Sequence, residues 1–207
     1  KLGLARCAGF CYGVRRAVEM AEQAARSGCR CVMLGPVIHN GSVIERLKAQ
    51  GVALAETPEQ VPEGAAVIIR SHGEGRPVHQ ALAARGCRVI DATCPNVARI
   101  HHLVARAEAE GRQVLIIGMR AHPEVQAIAG WCGHPVVLEG AQELEQWLQE
   151  GPERKSLPLT MVSQTTSTQM IWDLSVEKAK KQCTNLKIFD TICNATCKRQ
   201  SLSLIHI

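Results

Sequence analysis

Aromatic residues are scarce: phenylalanine, tyrosine and tryptophan together make up 3% of the 207 residues. Any core built from this chain is therefore aliphatic. Long apolar runs are also missing. The longest, such as "VLIIG" at 114–118, are strand-sized, so no stretch is long enough to span a bilayer and no membrane partner is expected. The opening "KLGLARCAG" is interrupted by Arg6 and has no extended apolar region, so no signal peptide is read there. There is no dense Lys/Arg run and no aromatic-rich basic segment, which argues against nucleic acid as a partner. The net charge of +5 is mild; it suits an anionic ligand without requiring one. Cys-x₂-Cys pairs are absent as well, which weighs against an ordinary structural zinc site.

Cysteine itself is plentiful. Ten are present, at 7, 11, 29, 31, 87, 94, 132, 183, 193 and 197. With 46% hydrophobic residues, the chain is too long and too rich in core material for a small disulfide scaffold. A reducing, cytoplasmic setting is expected, with some thiols buried and some binding metal. A free thiol packs like a small hydrophobe, and that reading is given to Cys29, Cys31, Cys87, Cys132 and Cys183.

Short β-like runs recur at 2–5, 30–35, 52–55, 65–70, 88–92, 113–118, 135–139, 159–163 and 186–190. Helix-period segments separate most of them. Val14, Ala17, Val18, Ala21 and Ala25 share one helical face, as do Val43, Ile44 and Leu47, then Val78, Ala81 and Leu82, then Val97, Ile100, His101 and Val104. Alternation of this kind predicts an α/β fold of repeated units, each a small, mostly parallel sheet flanked by helices. The polar segment "EGPERKS" at 150–156 is read as a loop.

A coarse repeat carries the chemistry. "VIDATCPNV" at 89–97 and "IFDTICNAT" at 188–196 each run apolar residues into an Asp, with a Cys three places later. Cys94 and Cys193 thus fall just after a strand, and Cys11, in "GFCYGV", falls just before a helix. Strand-to-helix junctions are where open α/β sheets bind ligands, and helix N-termini favour thiolate over thiol. Cys11, Cys94 and Cys193 are therefore read as three thiolates serving one centre. Soft sulfur ligands suit zinc or an iron–sulfur cluster. A [4Fe–4S] cluster normally takes four cysteines; with three, one iron stays open to a substrate oxygen. Cys7 and Cys197, each four residues from a proposed ligand, are read as bystanders.

His39, His72 and His122 each follow a strand closely, in "VMLGPVIHN", "VIIRSHG" and "VLIIGMRAHPEV". Taken singly, each would pass for a loop or core histidine. Three at like positions, beside helix N-termini, point to phosphate oxygens. His79, His101, His102, His134 and His206 lack that context and are read as surface or packing residues. Glu124, after Pro123, either complements a helix N-terminus or donates a proton. Beside a negatively charged cluster and a phosphate its pKa would rise. The hydroxyls of "SQTTST" at 163–168 either cap the next helix or hydrogen-bond a substrate oxygen beside Glu124.

Taken in order, "GFCYGVRRAV", "VIHN", "SHG", "DATCP", "AHPEV", "SQTT" and "TICNATCKRQ" resemble the 4-hydroxy-3-methylbut-2-enyl diphosphate reductase (LytB-type) family, from about residue 5 to about residue 200. The resemblance implies a pseudo-threefold trefoil of α/β units around a [4Fe–4S] cluster held by Cys11, Cys94 and Cys193, with one open iron. It implies that His39, His72 and His122 bind the diphosphate, that Glu124 donates a proton and that Thr165 contacts the substrate. The implied reaction is reductive dehydroxylation of an allylic diphosphate to isopentenyl and dimethylallyl diphosphates, the last step of the non-mevalonate pathway. Electrons would come singly from a carrier such as ferredoxin or flavodoxin.

On this reading the first unit covers 1–93, the second 94–192 and a stub of a third 193–207. The family's Ser-x-Asn diphosphate contacts have no counterpart, and "SLSLIHI" is unlike the family's continuation. The strand before Cys193 is then expected to lack a sheet, the centre to lack one wall and the 207-residue chain to be weakly active or inactive. Two other readings stand beside this one. Another three-cysteine cluster enzyme, such as a quinolinate synthase or a diphthamide-type enzyme, would not be expected to carry the histidine set. A non-catalytic metal-binding or redox-sensing protein would not respond to an allylic diphosphate.

Overall fold

The computed structural model describes residues 9–205, with side chains described through residue 200. The described residues form two compact units, one of Phe10–Ala98 and one that begins at Arg99. The run read as a strand at 2–5, Cys7 and His206 lie outside the described residues.

In the Phe10–Ala98 unit, α1 (Tyr12–Arg26) leads to β1 (Cys31–Leu34), α2 (Gly41–Ala49), β2 (Ala53–Ala55), β3 (Ala66–Ile69), α3 (Arg76–Ala84) and β4 (Arg88–Asp91). The strands form one all-parallel sheet in the order β2-β1-β3-β4. Side chains alternate across a strand, and here both faces are covered. Cys31, Met33, Ala66 and Ile68 pack beneath Ala17 and Ala21 of α1 and Leu47 of α2. Val32, Leu34, Val67 and Ile69 pack on the other face with Leu82 of α3. Two buried faces explain why these strands read as continuous apolar runs.

The second unit repeats the plan. α4 (Pro95–Ala109), whose first turn is counted with the preceding unit, runs into β5 (Gln113–Ile117). Then come α5 (Pro123–Ala129), β6 (Val136–Leu138), α6 (Ala141–Glu150), β7 (Leu159–Ser163), α7 (Gln169–Gln182), β8 (Leu186–Ile188) and α8 (Asn194–Ile205). The sheet order is β6-β5-β7-β8, again all parallel and the same permutation as the first. Leu115, Ile117, Leu159 and Met161 pack against Leu144, Leu148 and Trp172; Val114, Ile116 and Val162 pack against Ile100, Val104 and Ile128. Truncating a fully buried side chain such as Leu115 to alanine costs about 2–5 kcal/mol.

Three expectations need correction. The strand before Cys193 does not lack a sheet: Leu186, Lys187 and Ile188 pair with Leu159, Thr160 and Met161 of β7. A parallel neighbour supplies the partner that the sequence could not show. Segment 150–156 is largely a short 3₁₀ helix, Pro152–Ser156, started by a proline at its first position. Cys29 is exposed, while Cys31 is buried and Cys87, Cys132 and Cys183 are half-buried. Cys29 precedes the strand rather than lying in it. Among the described residues no helix is long and apolar enough to cross a membrane.

Candidate active site

In each sheet the chain reverses its winding between the first strand laid down and the third. The loops leaving those two neighbouring strands diverge and open a crevice, the usual ligand position in open α/β sheets. In the Phe10–Ala98 unit that crevice lies between β1 and β3. His39 follows β1 and His72 follows β3, and their ring centroids are 4.6 Å apart, tilted by 39°. The Ser71 amide donates to the Val37 carbonyl at 3.0 Å, tying the two histidine loops together. The Ser71 carbonyl accepts the amide of Cys94 at 2.9 Å.

Cys94 is set by a tight turn. Asp91 Oδ1 accepts the Thr93 amide at 2.9 Å and the Thr93 hydroxyl as well, and Arg16 of α1 donates to the Thr93 carbonyl at 3.1 Å. Cys94 immediately precedes α4, and its carbonyl accepts the Ala98 amide. Cys11 is the N-cap of α1, its carbonyl accepting the Arg15 amide at 2.9 Å. Gly13, two residues on, lies directly under the Cys94 thiol: a methyl group there would overlap Sγ.

In the second unit the matching crevice lies between β5 and β7. His122 follows β5 by the same five residues that separate His39 from β1. It caps α5, its Nδ1 accepting the Glu124 amide at 3.1 Å. An accepting Nδ1 in a neutral imidazole leaves the proton on Nε2, which can donate. Glu124 is 2% exposed. Its Oε1 accepts the Thr165 amide at 2.6 Å, and its Oε2 accepts the Thr165 hydroxyl at 2.7 Å. Burial pushes its pKa up, with the two Thr165 hydrogen bonds opposing. Gln164 ties the loops together: its side-chain oxygen accepts the Met119 amide at 3.1 Å and its nitrogen donates to the Thr166 hydroxyl at 2.6 Å.

The Thr165 carbonyl accepts the Cys193 amide at 2.9 Å. Asp190 Oδ1 accepts the Ile192 amide at 3.1 Å, as Asp91 accepts that of Thr93. Thr191 completes the loop, donating to the Ser163 carbonyl at 2.6 Å and accepting the Ser163 amide at 2.8 Å. Cys193 then precedes α8, and its carbonyl accepts the amide of Cys197, one turn further on. The repeated Asp-x-x-Cys is thus one structural device used twice. An Asp-based turn hangs a cysteine from the loop of the neighbouring strand and sets it at the start of a helix.

The Phe10–Ala98 unit brings together Cys11, Cys94, His39 and His72; the second brings together His122, Glu124, Thr165 and Cys193. Sequence reasoning missed Gly13, Arg16, Arg70, Ser71, Glu74, Gln164 and Thr191. Most act through backbone bonds or close approach, which no motif announces, but the opposite charges four apart around His72 were a visible signal. His101 is buried and stacks on Trp131 at 5.2 Å, a packing residue as read. Thr168 caps α7, accepting the Ile171 amide at 3.3 Å, so both roles read for the hydroxyls of "SQTTST" are present, capping at Thr168 and contact with Glu124 at Thr165.

The cysteines suit an iron–sulfur cluster on chemistry and on local form. All nine described cysteines are free thiols, the three proposed ligands each stand at the start of a helix, and glycine at 13 leaves room at Cys94. Among the described residues no group of three or more His, Cys, Asp or Glu side chains is spaced for a single metal ion.

A family model described as LytB protein matches residues 2–204. The 4-hydroxy-3-methylbut-2-enyl diphosphate reductase of Caldanaerobacter subterraneus subsp. tengcongensis is 36% identical over 205 residues, covering 95% of this chain and 68% of the relative. The enzyme of that name from Aquifex aeolicus is 38% identical over 202 residues, with coverages of 95% and 68%. Among solved structures, one of (E)-4-hydroxy-3-methyl-but-2-enyl diphosphate reductase, the terminal enzyme of the non-mevalonate pathway, matches with a TM-score of 0.81 at 36% identity. That match covers 97% of this chain and 70% of the other. With its motif order, its paired parallel sheets and these relatives in agreement, the chain belongs to the LytB protein family.

Proposed function

We propose that the chain carries out, as an iron–sulfur reductase, the conversion of (E)-4-hydroxy-3-methylbut-2-enyl diphosphate to isopentenyl and dimethylallyl diphosphates. The observation that carries this reading is Thr165. Its amide and hydroxyl both engage Glu124, while its carbonyl holds Cys193. One residue thus links a buried acid to a cluster-ligand cysteine, as removal of a hydroxyl group next to a cluster requires.

Cys11, Cys94 and Cys193 would hold a [4Fe–4S] cluster. When bound, it supplies single electrons and an iron without a protein ligand, and the electrons would come from a carrier such as ferredoxin or flavodoxin. The chain's own residues do the rest. His39, His72 and His122 anchor the diphosphate, so that binding energy remote from the reacting carbon is spent on its position. Burial favours the protonated form of Glu124; with the proton on Oε2 the hydrogen bond to Thr165 runs the other way, the hydroxyl accepting from Glu124 and giving its own proton to the departing hydroxyl of the substrate. The leaving group is then water rather than hydroxide. The enclosed carboxyl also keeps bulk water from competing for that proton.

The test is anaerobic reconstitution with iron and sulfide, followed by turnover of the allylic diphosphate with a chemical one-electron reductant. Cluster absorbance that changes on adding substrate, with both five-carbon products formed, supports the reading. A loaded cluster that ignores the substrate overturns it.

A further inference from the structure

Arg70 and Glu74 bracket His72 in "RSHGE". Arg70 Nε and Glu74 Oε1 are 2.7 Å apart, with side chains only 20% and 12% exposed. Helix-surface pairs such as Lys181–Glu177, at 69% and 60% exposed, contribute little because water screens them. A sheltered pair is different: its charges are screened less, and losing one partner strands the other. Burial drives the Glu74 carboxyl upward against the opposing pull of Arg70 and, more weakly, of His79. A carboxylate is thus kept in an unfavourable place, and the geometry shows what it does there.

The pair closes the His72 turn, in which the Gly73 amide donates to the Arg70 carbonyl at 2.9 Å. Arg70 also reaches the other histidine loop. Its guanidinium lies over Gly35, where an added Cβ would stand 3.2 Å from Nη1. Gly35 has φ +66°, a left-handed conformation that glycine adopts without strain, and it starts the loop that carries His39. Glu74 fixes Arg70, and Arg70 spans both loops.

We propose that the Arg70–Glu74 ion pair is the positioning clamp that holds the His39 and His72 imidazoles at the separation a diphosphate needs. The proposal rests on the reading of these histidines as diphosphate ligands. Neither clamp residue need touch the substrate, so its loss acts on binding rather than on the chemical step. Arg70→Lys is not expected to substitute, because a single ammonium cannot stand beside Glu74 and reach over Gly35 at once.

The test uses the full chain with Glu74→Gln, which keeps shape while removing charge, and Arg70→Lys. Titration with inorganic pyrophosphate should show affinity falling about tenfold in both variants. On the reconstituted protein KM should rise by a similar factor, with kcat within about twofold and iron content unchanged. In the ligand-free chain the imidazole resonances of both His39 and His72 should shift in Glu74→Gln, although Glu74 lies on the loop of only one of them. A lower melting temperature with unchanged pyrophosphate affinity and an unmoved His39 would overturn the clamp. If the unmutated chain binds no pyrophosphate, the diphosphate reading fails, and the His39 resonance still decides whether the pair couples the two loops.

Discussion

Thr165 gives both of its hydrogen-bond donors to one carboxyl group, its amide to Oε1 of Glu124 and its hydroxyl to Oε2. Removing the acid while keeping the shape should therefore stop chemistry without unfolding the site. Glu124→Gln is expected to lower turnover by about 10²- to 10⁴-fold, the span of general acid catalysis, with the cluster spectrum and pyrophosphate affinity retained. Single-turnover measurement on the reconstituted protein checks this. A variant within tenfold of the parent would assign the proton to another group.

Glu124 also makes stability depend on pH in a particular direction. Burial raises its folded-state pKa, so between the ordinary glutamate value and that raised one the folded chain holds a proton the unfolded chain has lost. Stability from this group is complete below the window and falls as pH climbs through it. Denaturant titrations from pH 4 upward should show a steeper alkaline-side decline for the parent chain than for Glu124→Gln. Parallel curves would contradict the raised value.

Gly13 tests the seat of Cys94. Glycine inside a helix costs about 0.5–1 kcal/mol relative to alanine, so Gly13→Ala should stabilise α1 if only the helix matters. The added methyl overlaps the Cys94 thiol instead. The expected outcome is little or no gain in melting temperature and a clear drop in iron and sulfide bound per chain, measured after reconstitution.

Two nearby thiols should respond differently to alkylation. Cys29 is exposed and Cys31 is 3% exposed, with a thiol pKa pushed up chiefly by burial. A brief pulse of iodoacetamide on the native chain should label Cys29 and spare Cys31, by peptide mass mapping. Equal labelling would mean that β1 opens readily at its start.

Much of this was legible in the sequence because parallel strands buried on both faces write themselves as unbroken apolar runs. "AVII" and "VLII" could hardly be anything else once helical segments lay between them. The placement of three histidines was legible for a related reason: His39, His72 and His122 sit just past such runs, where the strand ends are already marked. What was hidden lies in pairings between distant segments. Nothing in "LKIF" reveals that β7 is its neighbour, and nothing in Ser71 or Thr165 reveals that their carbonyls hold Cys94 and Cys193. Those links depend on strand order, which apolar patterning leaves open. The exposure of Cys29 was missed because a thiol next to an apolar run resembles its neighbours until the turn before the strand is built.

The bond from Cys193 to the Thr165 carbonyl gives the second unit a gear train. On the proposed function, any tilt of that residue would swing a sulfur and a hydroxyl together, so that how far an electron travels and how far a proton travels would be set by one lever. A mutation that improved one spacing would then disturb the other, leaving such a catalyst few single-step routes to a different leaving group.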